Sequence, residues 1–295
     1  MRNVLPVFCL FGLAMGTANL AAQQKAPKVI DAHVHYNGDT AFLRKLVARL
    51  DAVDGMAFVL VTPKHLEGAK DYIASHPNRL VGFGQINLDD PDAATQIDRF
   101  HAAGFRGIGE LLRPLKNYDD RGYWPLYERA EKYRMIALFH TGIVSRRNPD
   151  IPEDVSVDRM RPLLLDAIAR RFPKLTIIGA HLGNPEYEQA GEIARWHPNL
   201  FFDLSGSTLI KKQEDYPYFK SIFWWSSIVS PHTPKGGPSA FEKIVFGSDV
   251  FDGELEEFDR ALDRHRKMLD ACGVSKESQA NIFGGTLWRI LNTAK

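Results

Sequence analysis

Short apolar runs alternate with longer amphipathic ones along nearly the whole chain. Eight of them predict strands: Val29–Val34, Met56–Val61, Leu80–Ile86, Gly107–Leu111, Ile136–His140, Thr176–His181, Leu200–Leu204 and Ile244–Asp249. Between them, Ala41–Asp51, Leu66–Ser75, Ala93–Ala103, Trp124–Tyr133, Pro162–Arg171, Pro185–Arg195 and Leu255–Ala271 predict helices. Stretches such as Met135-Ile136-Ala137-Leu138-Phe139 have no polar face, which suits strands of a parallel sheet covered on both sides. Gly55, Gly104 and the pairs His76-Pro77, Phe172-Pro173 and His197-Pro198 fall where helices should stop. Eight strands, each followed by a helix or helix-like connection, is the count that closes a parallel barrel. The expected fold is therefore α/β, a single-domain (β/α)8 TIM barrel.

Two segments depart from this rhythm. Residues 1–22 combine Arg2, an apolar stretch Val4–Met15 too short to span a bilayer, and small residues Gly16–Ala22. They read as a secretory signal peptide cleaved after Ala18 or Ala22, or else as a retained anchor, with the barrel occupying 25–295. A periplasmic or secreted protein is expected. The other departure is Ser205–Ser239, long for a strand-to-helix connection and without a clear pattern over 214–228. It holds Phe223-Trp224-Trp225, then Pro231-His232-Thr233-Pro234. Three readings stand: it lines the barrel mouth with Trp224 against substrate, its aromatics pack on the exterior, or they form a subunit interface. A homo-oligomer thus stays open.

Composition narrows the function classes. Lys and Arg number 37 against 36 Asp and Glu, a formal charge of +1. Losing Arg2 with the signal brings it to about zero, so neither nucleic acid nor an anionic membrane surface is an expected partner. Cys9 would leave with the signal, and Cys272 alone permits no internal disulfide.

The candidate chemistry sits at strand ends. His33-Val34-His35 places two imidazoles on one face of a strand. Ten His in 295 residues give about 0.3 such pairs by chance, so the pair matters for its company: Glu110, His140, His181 and Asp249 each end a strand run. In a barrel these ends converge at one mouth. His33, His35, His140 and Asp249 could hold one catalytic zinc with an open position for water, with Asp249 or His181 accepting a proton. Alternatively His33, His35 and Asp249 hold one ion and His140 and His181 a second, Glu110 bridging. Against that, Glu110 could simply pair with Arg106 or Arg113. Asp203 and Ser205 either orient a ligand imidazole or satisfy loop backbone, the latter being favoured. Arg113 and Arg146 are candidates for a substrate carboxylate. The remaining histidines 65, 76, 101, 197 and 265 are expected to face solvent; His232 stays open.

Together Asp31-Ala32-His33-Val34-His35, Phe139-His140-Thr141-Gly142, Gly179-Ala180-His181-Leu182-Gly183, Asp203-Leu204-Ser205-Gly206, Phe246-Gly247-Ser248-Asp249 and Asn281-Ile282-Phe283-Gly284-Gly285 resemble the landmarks of the amidohydrolase superfamily. The branch most similar is the amidohydrolase-related one, with aminocarboxymuconate-semialdehyde decarboxylase and dicarboxylate lactonases. The resemblance implies a distorted (β/α)8 barrel and a divalent metal at its C-terminal mouth, zinc being the expected ion. It implies ligation by His33, His35, His140 and Asp249, with His181 polarising substrate or moving protons. Glu110 departs from the branch and resembles instead the metal-bridging Glu of deoxyribonuclease-type members. The leading expectation is a metal-dependent hydrolase of a small lactone, ester or amide. Non-oxidative decarboxylation of an aromatic or unsaturated acid is the alternative, and a non-catalytic binding protein is a third.

Overall fold

A computed structural model describes residues 25–223 and 240–293. Residues 1–22, expected as a signal peptide, together with Trp224, His232 and the Pro-rich stretch 231–238, lie outside the described residues. Eight parallel strands, β1 (Val29–Tyr36), β2 (Gly55–Val61), β3 (Leu80–Gly84), β4 (Gly107–Leu111), β5 (Ile136–His140), β6 (Thr176–Ala180), β7 (Leu200–Asp203) and β8 (Ile244–Val245), form one sheet in chain order. Backbone bonds Ala32 N to Phe246 O (2.9 Å), Asp249 N to His33 O (2.9 Å) and His35 N to Val250 O (2.8 Å) close it on itself. The chain is a (β/α)8 barrel. Strand β8 is shorter than expected. Asp249 takes a left-handed backbone, φ 59°, and Ser248 is held by the Asp31 carboxylate, so residues 246–250 follow β1 without a regular ladder.

The helices fall close to their expected places: Thr40–Val53, Leu66–Ser75, Ala93–Ala102, Trp124–Lys132, Leu164–Arg171, Tyr187–Trp196 and Glu256–Ala271. The unclear stretch after β7 resolves into Ser207–Gln213 and Tyr216–Phe223. Two unforeseen C-terminal helices, Lys276–Ala280 and Thr286–Thr293, flank a π-helical turn at Asn281–Gly285. Leu287 and Leu291 of the last one join the barrel's inner core. Among the described residues no helix is long and apolar enough to cross a membrane.

Alternation along the strands sorts side chains into two cores. Met56, Phe58 and Leu60 of β2 face inward with Ile136 and Leu138 of β5, while Ala57, Val59, Ala137 and Phe139 pack outward under the helices. Two bulges interrupt this order, and both aim the site. In β1, Asp31 pairs with Ala57 but Val34 with Val59, three residues against two. In β4, Ile108 pairs with Ala137 but Leu111 with Phe139. The extra residue shifts parity, so His33 and His35 point inward above Ile30 and Ala32, and Glu110 points inward although Ile108 and Leu111 face out. Gly109 makes the second bulge feasible. Its φ is 126°, and a Cβ there would lie 2.2 Å from Leu138 O.

Candidate metal centre

Each site residue reaches the mouth from a different element. His33 and His35 come from the β1 bulge, Glu110 from the β4 bulge and His140 from the end of β5. His181 follows β6 in left-handed backbone, φ 63°, and Asp249 follows β8 likewise. Such φ values are uncommon outside glycine; here they turn both side chains toward the axis after the strands have ended.

The geometry centres on Glu110. Its Oε2 lies 3.7 Å from both His33 Nε2 and His35 Nε2. Its Oε1 lies 2.7 Å from His140 Nδ1 and 3.3 Å from His181 Nε2. Asp249 Oδ1 completes the first half, 3.1 Å from His35 Nε2 and 3.4 Å from His33 Nε2, and these two nitrogens are 3.2 Å apart. Donor atoms of His33, His35 and Glu110 lie within 4.8 Å of one another, as do those of Glu110, His140 and His181. All are buried except Asp249, whose side chain is 22% exposed. The donor set therefore fits one or two hard or borderline divalent cations. Its charge fits too. Burial works to raise the Glu110 and Asp249 carboxyls, but the surrounding imidazoles, His140 and His33 at Glu110 and His33 and His35 at Asp249, outweigh it and hold both below the usual range. Burial conversely works to lower His33 and His181. Asp249, Glu110 and Asp203 hold His33 well above the ordinary value, and His181, bonded to Glu110, stands at about 9. The pocket stabilises positive charge, and cation uptake must displace protons.

The outer contacts fix the ring nitrogens. His33 Nδ1 donates to Asp203 Oδ2 at 3.1 Å, leaving Nε2 toward the cluster. His181 Nδ1 donates to Ser205 O at 3.0 Å, again leaving Nε2. His140 differs: its Nδ1 lies 2.7 Å from Glu110 Oε1 and its Nε2 3.3 Å from Ile143 O, so acceptors face both ring nitrogens. The His33 and His181 tautomers are assigned from these partners, since a carbonyl or carboxylate only accepts. Asp203 and Ser205 thus do more than satisfy a loop. Asp203 Oδ1 does accept from the His181 and Ser205 backbone N–H groups, both near 3 Å, but its other oxygen orients His33. Asp31, unassigned from sequence, accepts from His33 N and Ser248 N, each at 3.0 Å, and from Ser248 Oγ. Burial pushes its carboxyl up to about 7.

Other expectations change. Glu110 makes its contacts to imidazoles, while Arg113 donates to Glu153 Oε1 at 2.9 Å and to Ser145 O at 2.6 Å. Arg146 lies exposed, its Nε 3.4 Å from Asn148 O. The structure thus places neither arginine on the cluster. His197 and His265 do not face solvent: they are 4% and 1% exposed. His197 Nε2 donates to Asp166 Oδ1 at 2.7 Å, and His265 shares the apolar stripe of helix Glu256–Ala271 with Phe258, Leu262 and Leu269.

Comparisons with known proteins bear on the fold and the family. Three solved structures share the fold. An uncharacterized TIM-barrel protein, Bb4693, from Bordetella bronchiseptica has a TM-score of 0.62 at 16% identity, covering 90% of this chain and 99% of that one. A probable 2-pyrone-4,6-dicarboxylic acid hydrolase from Acinetobacter baumannii, solved with citric acid bound, has 0.58 at 14%, covering 90% and 99%. A 2,6-dihydroxybenzoate decarboxylase from Rhizobium has 0.54 at 16%, covering 91% and 100%. No curated protein matches. The model of the amidohydrolase family matches residues 11–291, and the chain belongs to that family.

Proposed function

We propose that the protein is a divalent-cation-dependent hydrolase of a small lactone, ester or amide. The observation that carries this is the split of the Glu110 carboxylate between two sets of nitrogens. Its Oε2 turns to His33 and His35, and its Oε1 to His140 and His181. His33, His35, Asp249 and Glu110 would hold one zinc-type ion, and Glu110, His140 and His181 a second. A bound divalent ion supplies Lewis acidity to a carbonyl oxygen and makes a water ionisable near neutral pH.

The protein's own groups divide the remaining work by exposure. Glu110 is 6% exposed and enclosed by imidazoles, so it positions and neutralises. Asp249, 22% exposed at the open side, is the carboxylate that substrate and solvent reach. It accepts the proton of the attacking water and returns it to the leaving oxygen or nitrogen. His181, bonded at Nδ1 to Ser205 O, holds its Nε2 beside Glu110 and is oriented to ligate.

The test is product analysis in 18O-water with the zinc-loaded protein across lactones, esters and amides. Hydrolysis should place one 18O in the acid product and release no CO2. Release of CO2 from an aromatic or unsaturated acid, without 18O uptake, would replace this reading with decarboxylation. Elemental analysis of the same sample should find zinc or a similar ion, sharply reduced in the doubly substituted His33→Ala, His35→Ala protein.

A further inference from the structure

Three consecutive residues after β6 hold left-handed backbone: His181 at φ 63°, Leu182 at φ 46° and Gly183 at φ 72°. Only the third is a glycine, so the other two carry the steric penalty that an L side chain meets there. The turn solves a problem of parity. Ile178 and Ala180 of β6 face the barrel interior, and Ile177 faces the helices. A strand continued by one residue would send His181 outward with Ile177. The left-handed turn reverses this, and His181 Nε2 comes to lie 3.3 Å from Glu110 Oε1.

Strained backbone persists only where its surroundings over-determine it. Both neighbouring strands supply clamps. After β7, Asp203 Oδ1 accepts from His181 N and Ser205 O from His181 Nδ1, each at 3.0 Å. After β5, Thr141 Oγ1 donates to Ala180 O and accepts from Gly183 N at 2.8 Å. One hydroxyl therefore spans the turn, gripping the residue before it and the residue that ends it. Thr141 is wholly buried and directly follows His140. Beyond it the two segments touch backbone to backbone. A Cβ on Gly142 would lie 1.9 Å from Asn184 O, and Ile143 N donates to that carbonyl at 2.8 Å. The His140 and His181 rings meet beside this seam, centroids 4.7 Å apart.

We propose that Thr141 is a positioning residue for His181: its hydroxyl holds the left-handed turn and so aims Nε2 at Glu110 beside His140. It touches neither substrate nor cation. Its consequence for a second ion deepens the two-ion arrangement above and rests on it.

Thr141→Val keeps the branched shape and removes the hydroxyl; Thr141→Ser keeps the hydroxyl and removes the methyl. Thr141→Ala is the smaller hydroxyl-free variant should Thr141→Val not fold. On cation-free protein, amide hydrogen exchange should show the Gly183 N–H exchanging about tenfold faster without the hydroxyl and near the wild-type rate in Thr141→Ser. On zinc-loaded protein, the His181 ring 15N resonances should move in the hydroxyl-free variant and return in Thr141→Ser, while those of His33 stay in place. In a zinc titration, one binding step should weaken by about tenfold and the other by less than about twofold. Unchanged Gly183 exchange, unmoved His181 resonances, an equal loss at both steps, or a loss that Thr141→Ser does not restore would each overturn the proposal. A wild-type protein that takes up a single ion, with Gly183 exchange and the His181 resonances still following the hydroxyl, would sustain the role of Thr141 and remove the two-ion reading instead.

Discussion

Asp203 Oδ2 lies 3.1 Å from His33 Nδ1, and this contact decides which nitrogen of His33 faces the cluster. A carboxylate only accepts, so Nδ1 carries the proton and Nε2 turns to His35, Asp249 and Glu110. Asp203→Asn places an amide in nearly the same volume, and an N–H2 turned to His33 favours the opposite tautomer. Histidine 15N–1H correlation spectra of zinc-loaded protein should show His33 protonated at Nδ1 in the wild type, with that signal lost in the variant. Zinc affinity should fall by about 10- to 100-fold while circular dichroism stays unchanged. Retention of both tautomer and affinity would show that Asp203 serves the loop backbone alone.

Glu110 offers the sharpest test of ion count. Its two oxygens divide between the His33/His35 pair and the His140/His181 pair. Glu110→Gln keeps the shape but removes the charge and replaces one acceptor by a donor. Elemental analysis should show the stoichiometry dropping from about two ions to about one. An unchanged count would mean that Glu110 holds imidazoles rather than metal.

Much of this centre was legible because its residues end strands. His33 and His35 share a face at i and i+2, and convergence of strand ends then gathers His140, Glu110 and Asp249 from distant sequence. What alternation could not supply was aim. Parity in β4 would have sent Glu110 out with Ile108, and only the bulge turns it inward. The role of Asp31 was hidden for a related reason: its partner Ser248 lies across the barrel seam, 217 residues away. His265 was misjudged although the signal was present. Ala261, Leu262, Met268 and Leu269 sit three and four residues from it on one apolar stripe, which fixes a buried position.

Tyr118 ties the two strands that carry Glu110 and His140. Its buried hydroxyl lies 2.7 Å from Leu111 O and 3.0 Å from His140 O. Tyr118→Phe keeps the ring packed against Phe139 but leaves both carbonyls without this donor. Urea denaturation should show a loss of about 1–2 kcal/mol. Zinc affinity should drop modestly as the β4 and β5 ends loosen. A variant as stable as the wild type would show that the two carbonyls find water instead.

His265 sets an acid limit on stability. Its Nδ1 donates to Ala261 O at 2.8 Å, its Nε2 has no partner among the described residues, and burial lowers the imidazole to about 4 from the ordinary 6.5. Between those values the unfolded chain binds a proton that the folded one refuses. Stability is therefore complete above pH 6.5 and declines as pH falls toward 4. The shift corresponds to about 3 kcal/mol across that window, with Asp203 and Arg264 the charged groups acting on the ring. His265→Phe preserves the edge-on ring contact with Phe246 and removes the titration. Other groups titrate in the same range, so the informative quantity is the difference between wild type and variant. Chemical denaturation from pH 7 to pH 4 should show the variant gaining on the wild type as acid is added. Parallel pH curves would show that His265 is protonated as readily in the folded chain as in the unfolded one.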